Sequence, residues 1–324
     1  MIDNLTNQFL ETIDPVWLSI FAFVFGAFVG SFLNVCIYRI PRGESIVFPG
    51  SHCPSCKTKI RPYHNIPLIS YLVLRGRCPS CRETISPRYP LVEFLTALLA
   101  LLLARRFGAT VEFVGYFAFS AALIVVSGID LAHRIIPDRI SLPGIGAGLI
   151  FSLVTCRLDF IVSVVGTVTG GGSLLLVTLA YMGYVRLRER FKGVAHEEET
   201  ERALKGMNLE ELKKEAALYG VEVNPGEGRQ TIVKAIAEAK SEGMGGGDIK
   251  LLAMIGAFLG GWPSILFVIL VGSFLGCVVG VPLMVSKGRD SKYAIPFGPF
   301  LAAGAIIYLI WGPEIIRWYF GLGR

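Results

Sequence analysis

The stretch GMGGGDIKLLAMIGAFLGGW, residues 243–262, decides how the rest of the chain reads. Three consecutive glycines run into Asp248, Lys250 follows two places later, and the chain then turns almost wholly apolar. An ionisable group set where a chain meets lipid is expensive, so it marks a functional site by default. That reading requires a membrane, and composition supplies one. Of the 324 residues, 53% are hydrophobic and only 17% are charged, with a mean hydropathy of +0.58. Soluble domains carry about a quarter charged residues, so this is an integral membrane protein.

Working outward, apolar runs cover Val16 to Ile40, Tyr89 to Ala104, Val111 to Ile129, Leu142 to Cys156, Phe160 to Val185, Ile249 to Gly261, Ser264 to Val285 and Ala294 to Trp311. The expected fold is an all-α polytopic membrane protein with about eight transmembrane helices. The Gly260-Gly261-Trp262-Pro263 break separates two of them. Residues 1–15 hold acids but no Lys or Arg, whereas the loop after the first run carries nine basic residues between Arg39 and Arg88. By the positive-inside rule the N-terminus is extracytoplasmic and that loop cytoplasmic. Counting spans onward puts His133 to Arg139, Arg186 to Lys250 and Lys287 to Lys292 on the cytoplasmic side as well. No basic region precedes the first run and no small-residue cleavage site follows it, so it does not read as a signal peptide. The net charge of +6 is then mostly a topology signal, and no nucleic-acid partner is expected.

Five regions follow from this reading: 1–40 (N-terminus and first span), 41–88 (cytoplasmic loop), 89–187 (spans two to five), 188–242 (a polar insertion) and 243–324 (the glycine–aspartate motif and the last three spans).

The first loop holds two CPSC knuckles, Cys53 with Cys56 and Cys78 with Cys81, twenty-one residues apart. Each aims two thiolates at one point, and together they suit a tetrahedral zinc site. Disulfides are disfavoured in a reducing compartment, and redox chemistry usually needs one such motif, not two. With four protein ligands the zinc would be structural, folding a loop too small to have a core of its own. Cys36, Cys156 and Cys277 lie in or beside apolar runs and read as packing residues.

Two acids stand at the cytoplasmic edge: Asp248, and Asp130 at the end of AALIVVSGID. Paired carboxylates share a proton and can activate water against a peptide carbonyl without a metal. Gly245 and Gly247 would let a substrate strand approach the backbone closely. Taken singly, Asp248 also reads as a helix N-cap and Asp130 as a snorkelling helix-end charge.

The motifs taken together resemble one family. GMGGGDIKLLAMIGAFLG, GSFLNVCIYRIPRGESI (Gly30 to Ile46), the paired CPSC knuckles, ISPRYPLVE (Ile85 to Glu93), IDLAHRIIPD (Ile129 to Asp138) and IPFGPFLA (Ile295 to Ala302) are similar, in order, to the type IV prepilin peptidases. Those are intramembrane aspartic proteases that process precursors of pilins and type II secretion pseudopilins. The resemblance puts the catalytic pair on Asp130 and Asp248, with Asp138 the runner-up. Ala132 stands where many relatives have a second acid, which the resemblance implies is harmless to catalysis. The implied substrate has a basic leader ending in glycine, followed by an apolar helix, so the bond to be cut lies at the inner membrane edge. The resemblance further implies residence in a bacterial inner membrane, work beside pilus or type II secretion assembly machinery, and methylation of the new N-terminus with S-adenosylmethionine. Asn34 and Glu93 are the polar membrane-edge residues to test for the methylation step. They read equally as a helix-packing contact and as an ion pair with Arg88.

Within the insertion, Asn208 and Glu211 form a capping-box pattern. Leu209, Leu212 and Ala216 mark one helix face, Gly220 a stop, VEV an extended piece, and Ile232, Val233 and Ile236 a second helix. This resembles small helix-extended-helix modules of the SAP or Rho N-terminal kind. Its mixed charge favours a spacer or a protein-docking element over nucleic-acid binding. A transporter would be expected to show internal repeats and mid-membrane charges, and a zinc-anchored scaffold would have no use for paired aspartates.

Overall fold

The computed structural model describes residues 14–53, 55–155, 158–192, 204, 206–218, 228–241, 246–287 and 296–321. Residues 1–13, Cys156, Gly220 with VEV, Gly245 and residues 288–292 lie outside them.

The elements are helical: α1 (Pro15–Arg39), α2 (Ile69–Val73), α3 (Arg88–Phe107), α4 (Val111–His133), α5 (Asp138–Val154), α6 (Phe160–Lys192), α7 (Leu209–Leu218), α8 (Arg229–Ser241), α9 (Gly246–Leu259), α10 (Gly261–Lys287) and α11 (Gly298–Gly321). No strand occurs among the described residues, only two isolated bridges in the cysteine loop. Local chemistry sets several helix ends. Asp14 caps α1, its carboxylate accepting from Val16 N at 2.8 Å, and Pro15 takes the first helical position. Gly260 and Gly261 adopt positive φ of 69° and 64°, which divides α9 from α10 where the sequence predicts a break.

Among the described residues five helices, α1, α4, α6, α10 and α11, are long and apolar enough to cross a membrane. The expectation of about eight is matched in these five, and the other three candidates differ in charge or length. α3 carries Arg88, Glu93, Arg105 and Arg106, while α5 and α9 have 17 and 14 residues. At about 1.5 Å per residue α9 reaches roughly 21 Å, short of a hydrocarbon core of about 30 Å.

α9 compensates for its length by being central. Every residue from Leu251 to Leu259 is buried, and α5, α6, α10 and α11 pack around it. A helix apolar all round belongs in such a position. Glycines allow the approach: a Cβ on Gly166 or Gly170 of α6 would strike the backbone of Gly256 or Leu252 on α9. The Gly166–Gly170 pair is thus a backbone-contact stripe, as the small-residue spacing predicts. The middles of α1 and α3 meet likewise, Gly26 against Ala97 and Ala100, and Gly30 against Glu93 and Thr96.

The insertion has a separate small core of Leu204, Leu212, Ala216, Ile232, Val233 and Ile236. Its capping box forms in both directions, Asn208 N to Glu211 Oε2 at 2.8 Å and Glu211 N to Asn208 Oδ1 at 2.9 Å.

Candidate active site

Asp130 stands one turn from the C-terminal end of α4. The helix stops because Arg134 turns left-handed (φ 58°) and its N–H caps the Asp130 carbonyl at 2.8 Å. The Asp130 side chain is buried, and its Oδ2 accepts from Gly298 N, the first residue of α11, at 3.1 Å. The positive end of a helix therefore faces this carboxylate. Gly298 is needed for that approach, since a Cβ there would lie 2.6 Å from Oδ2.

Asp248 occupies the third position of α9, half-buried, within electrostatic reach of Asp130. Ile136 bridges the two sides. It lies where a Cβ on Gly247 or on Gly298 would meet it, at 2.9 Å and 3.4 Å. The C-terminal end of α4 and the first turns of α9 and α11 thus converge on one small volume, bringing Asp130, Asp248 and Gly247 together. Asp138 is not in it: Lys250 Nζ binds both its oxygens, at 2.7 and 2.8 Å, on an exposed face.

The cysteine loop folds as two matching turns. Cys53 N donates to Thr58 O and Lys57 N to Cys53 O; Cys78 N donates to Glu83 O and Arg82 N to Cys78 O. Lys57 and Arg82 occupy equivalent left-handed positions. The four Sγ atoms lie within 4.8 Å of one another, and Cys53 and Cys81 are 3.9 Å apart. A tetrahedron with metal–sulfur bonds of about 2.3 Å has an edge of about 3.8 Å, so the arrangement fits a metal ion. The Thr58 hydroxyl and backbone amide hold the Cys56 thiol down at about 6, while at Cys81 the Glu83 backbone bond is outweighed by desolvation and the hydrogen bonds of the other three cysteines, which push it up to about 12.

Between this loop and the ends of α1 and α3 lies a cavity of about 390 Å³. Asn34, Tyr38, His64, Tyr89 and Glu93 line it, with Cys53 and Cys78 on its far wall. Asn34 Nδ2 donates to Tyr89 O at 3.0 Å, a helix-packing contact as one of its readings has it. Glu93 departs from the other reading. Its Oε2 accepts from Leu68 N at 2.8 Å, and among the described residues no ion pair joins it to Arg88. Within IPFGPF the sequence alone gives Gly298 no role, and its one local signal is a glycine before proline at a helix start.

A helical membrane protein with a four-cysteine loop and two aspartates within electrostatic reach of each other defines a narrow class. Residues 24–107 match the Bacterial Peptidase A24 N-terminal domain, and residues 117–281 match the Type IV leader peptidase family. Among curated proteins the chain is similar to prepilin leader peptidase/N-methyltransferases from Pseudomonas putida (33% identical, 93% of each chain), Pseudomonas aeruginosa (32%, 94% of each) and Aeromonas hydrophila (30%, 92% of each). The chain belongs to the type IV leader peptidase family. No solved structure matches it.

Proposed function

We propose that this chain is a prepilin leader peptidase and N-methyltransferase whose peptidase step runs on Asp130 and Asp248. The observation that carries the catalytic assignment is the convergence of α4, α9 and α11, which sets one buried and one half-buried carboxylate against each other at helix ends. The Gly298 N–H engages Oδ2 of Asp130 and leaves Oδ1 for water. One aspartate takes a proton from water as it attacks the glycine carbonyl, and the other donates to the carbonyl oxygen. On collapse the proton passes to the leaving amine. Gly247 leaves the approach to this site low, and Gly245, outside the described residues, precedes it in the same glycine run.

The substrates are prepilins and pseudopilins, each with its apolar helix in the bilayer and its leader outside it. The enzyme spans a bacterial inner membrane with about eight helices, its N-terminus extracytoplasmic and its aspartates and cysteine loop cytoplasmic, next to pilus or type II secretion assembly machinery. Regions 1–40, 41–88, 89–187, 188–242 and 243–324 remain the working division. Zinc held by Cys53, Cys56, Cys78 and Cys81 would have no open position, so it serves the fold of the loop. The cavity beside it falls in the size range of small-ligand sites, about 300–1,000 Å³. Asn34 and Glu93 would hold S-adenosylmethionine there, with Tyr38 and Tyr89 as aromatic walls for its cationic sulfonium. When bound it supplies an electrophilic methyl group.

The test is a mass spectrum of a prepilin incubated with the purified protein and S-adenosylmethionine in liposomes, beside Asp130→Asn and Asp248→Asn. Leader loss with one added methyl, and cleavage reduced about 10²–10⁴-fold in both variants, is expected. Cleavage persisting in either variant removes that residue from the pair and brings Asp138 forward.

A further inference from the structure

The cysteine loop makes a contact with α3 that neither its four sulfurs nor its metal-binding geometry requires. Leu68, which precedes α2, donates its N–H to Glu93, five residues inside the start of α3. At about 1.5 Å per residue the Glu93 backbone lies roughly 7.5 Å below Arg88, and its side chain leans back toward the helix start, so α2 begins beside the first turns of α3, where Leu91, Phe94 and Leu95 are exposed. Ser70 fixes which way α2 faces. It is buried, its Oγ takes Ile66 N at 2.9 Å and donates to Tyr63 O at 3.2 Å. The opposite side is left bare: Ile69 is 58% exposed, Leu72 74% and Val73 73%.

Three large aliphatic side chains open to water on a five-residue helix have no soluble explanation. The surrounding charge says what covers them. From Ser45 to Arg82 the chain has no acid, and carries Lys57, Lys59, Arg61, Arg75, Arg77 and Arg82; Arg75 and Arg77 directly follow α2 and are exposed. Apolar side chains at the level of a lipid-facing helix, followed by arginines, match the boundary between acyl chains and anionic headgroups. We propose that α2 is an interfacial anchor: Ile69, Leu72 and Val73 insert at the acyl boundary while Arg75 and Arg77 take lipid phosphates. The anchor holds the cysteine loop and its cavity down against the membrane surface, where a newly freed N-terminus emerges. It rests on the membrane reading of α3 and is independent of which residues cleave.

The full-length protein, carrying a dansyl amino acid at position 73, 91 or 210, would be reconstituted into phosphatidylcholine–phosphatidylglycerol vesicles with or without bromine on the upper acyl chain. Emission from positions 73 and 91 is expected to fall at least twofold in the brominated vesicles, and that from position 210 on the polar insertion to stay unchanged. Quenching at 91 without quenching at 73 overturns the anchor. Quenching at neither defeats the membrane reading of α3 itself. If position 73 escapes the lipid quencher but shifts when a prepilin is added, the surface belongs to substrate and not to lipid.

Discussion

Around Asp130 and Asp248 the helices are packed to backbone contact, whereas around Cys53 and Cys78 the chain is held by turns, a few buried side chains and four convergent sulfurs. α9 is buried along its whole apolar length, so the aspartate at its start is positioned by a core. Only Cys53 and Cys78 are buried among the loop's cysteines. A loop so built would depend on a bound metal, while a site so built depends on glycine. The two proposed activities therefore rest on separable physical supports: tight helix packing for cleavage, a bound metal and the membrane surface for methylation.

The sharpest way to break that comparison is at Gly298. Gly298→Ala keeps the N–H but pushes a methyl against Asp130 Oδ2, and displacing a reacting group by about 1 Å can cost about 10²-fold. Cleavage rates should fall by about 10- to 100-fold with methylation of a pre-cleaved pilin unchanged; equal loss of both would couple the two sites.

Metal removal is the converse probe. Chelation, or Cys78→Ser, should lower methylation by on the order of 10-fold or more, since such loops fold with their metal. Peptidase rates on the same samples should stay within about twofold. A peptidase that dies with the metal would contradict the separation.

Gly166→Leu attacks the packing of α9 instead. Overfilling a tight contact costs about 1–3 kcal/mol, so detergent thermal unfolding should shift down while zinc content stays at wild-type level. The smallest effect is expected at Lys250→Met, which breaks an exposed pair with Asp138 worth under about 1 kcal/mol. Cleavage should be near normal; a loss as large as that of Asp130→Asn would return Asp138 to the catalytic pair.

Much of this was legible in the sequence because the signals are local. The capping box of Asn208 and Glu211, the Gly260–Gly261 break and the Gly166–Gly170 stripe each lie within a few residues and appear as their spacing implies. The paired knuckles likewise announce a common centre, and the four sulfurs converge. What escaped was long-range. Gly298 reaches Asp130 across 168 positions, Lys250 reaches Asp138 across 112, and Leu68 takes the Glu93 carboxylate that proximity in sequence had offered to Arg88. No periodicity encodes such partners, because packing chooses them after the helices form. Burial escaped for a related reason: α9 reads from the sequence as one apolar run among several, and only the packing shows that its 14 residues form a buried central element.

In the proposed cleavage step Asp130 and Asp248 act as one unit. The most direct test is a double-variant cycle on cleavage, comparing Asp130→Asn, Asp248→Asn and the double variant by initial rate of leader release, with folding checked by zinc content and thermal unfolding. Groups that share one proton lose their joint function when either is changed, so the double variant should be about as slow as each single one. Losses that multiply, or a single variant that keeps near wild-type rate, would show two independent carboxylates and contradict the shared site.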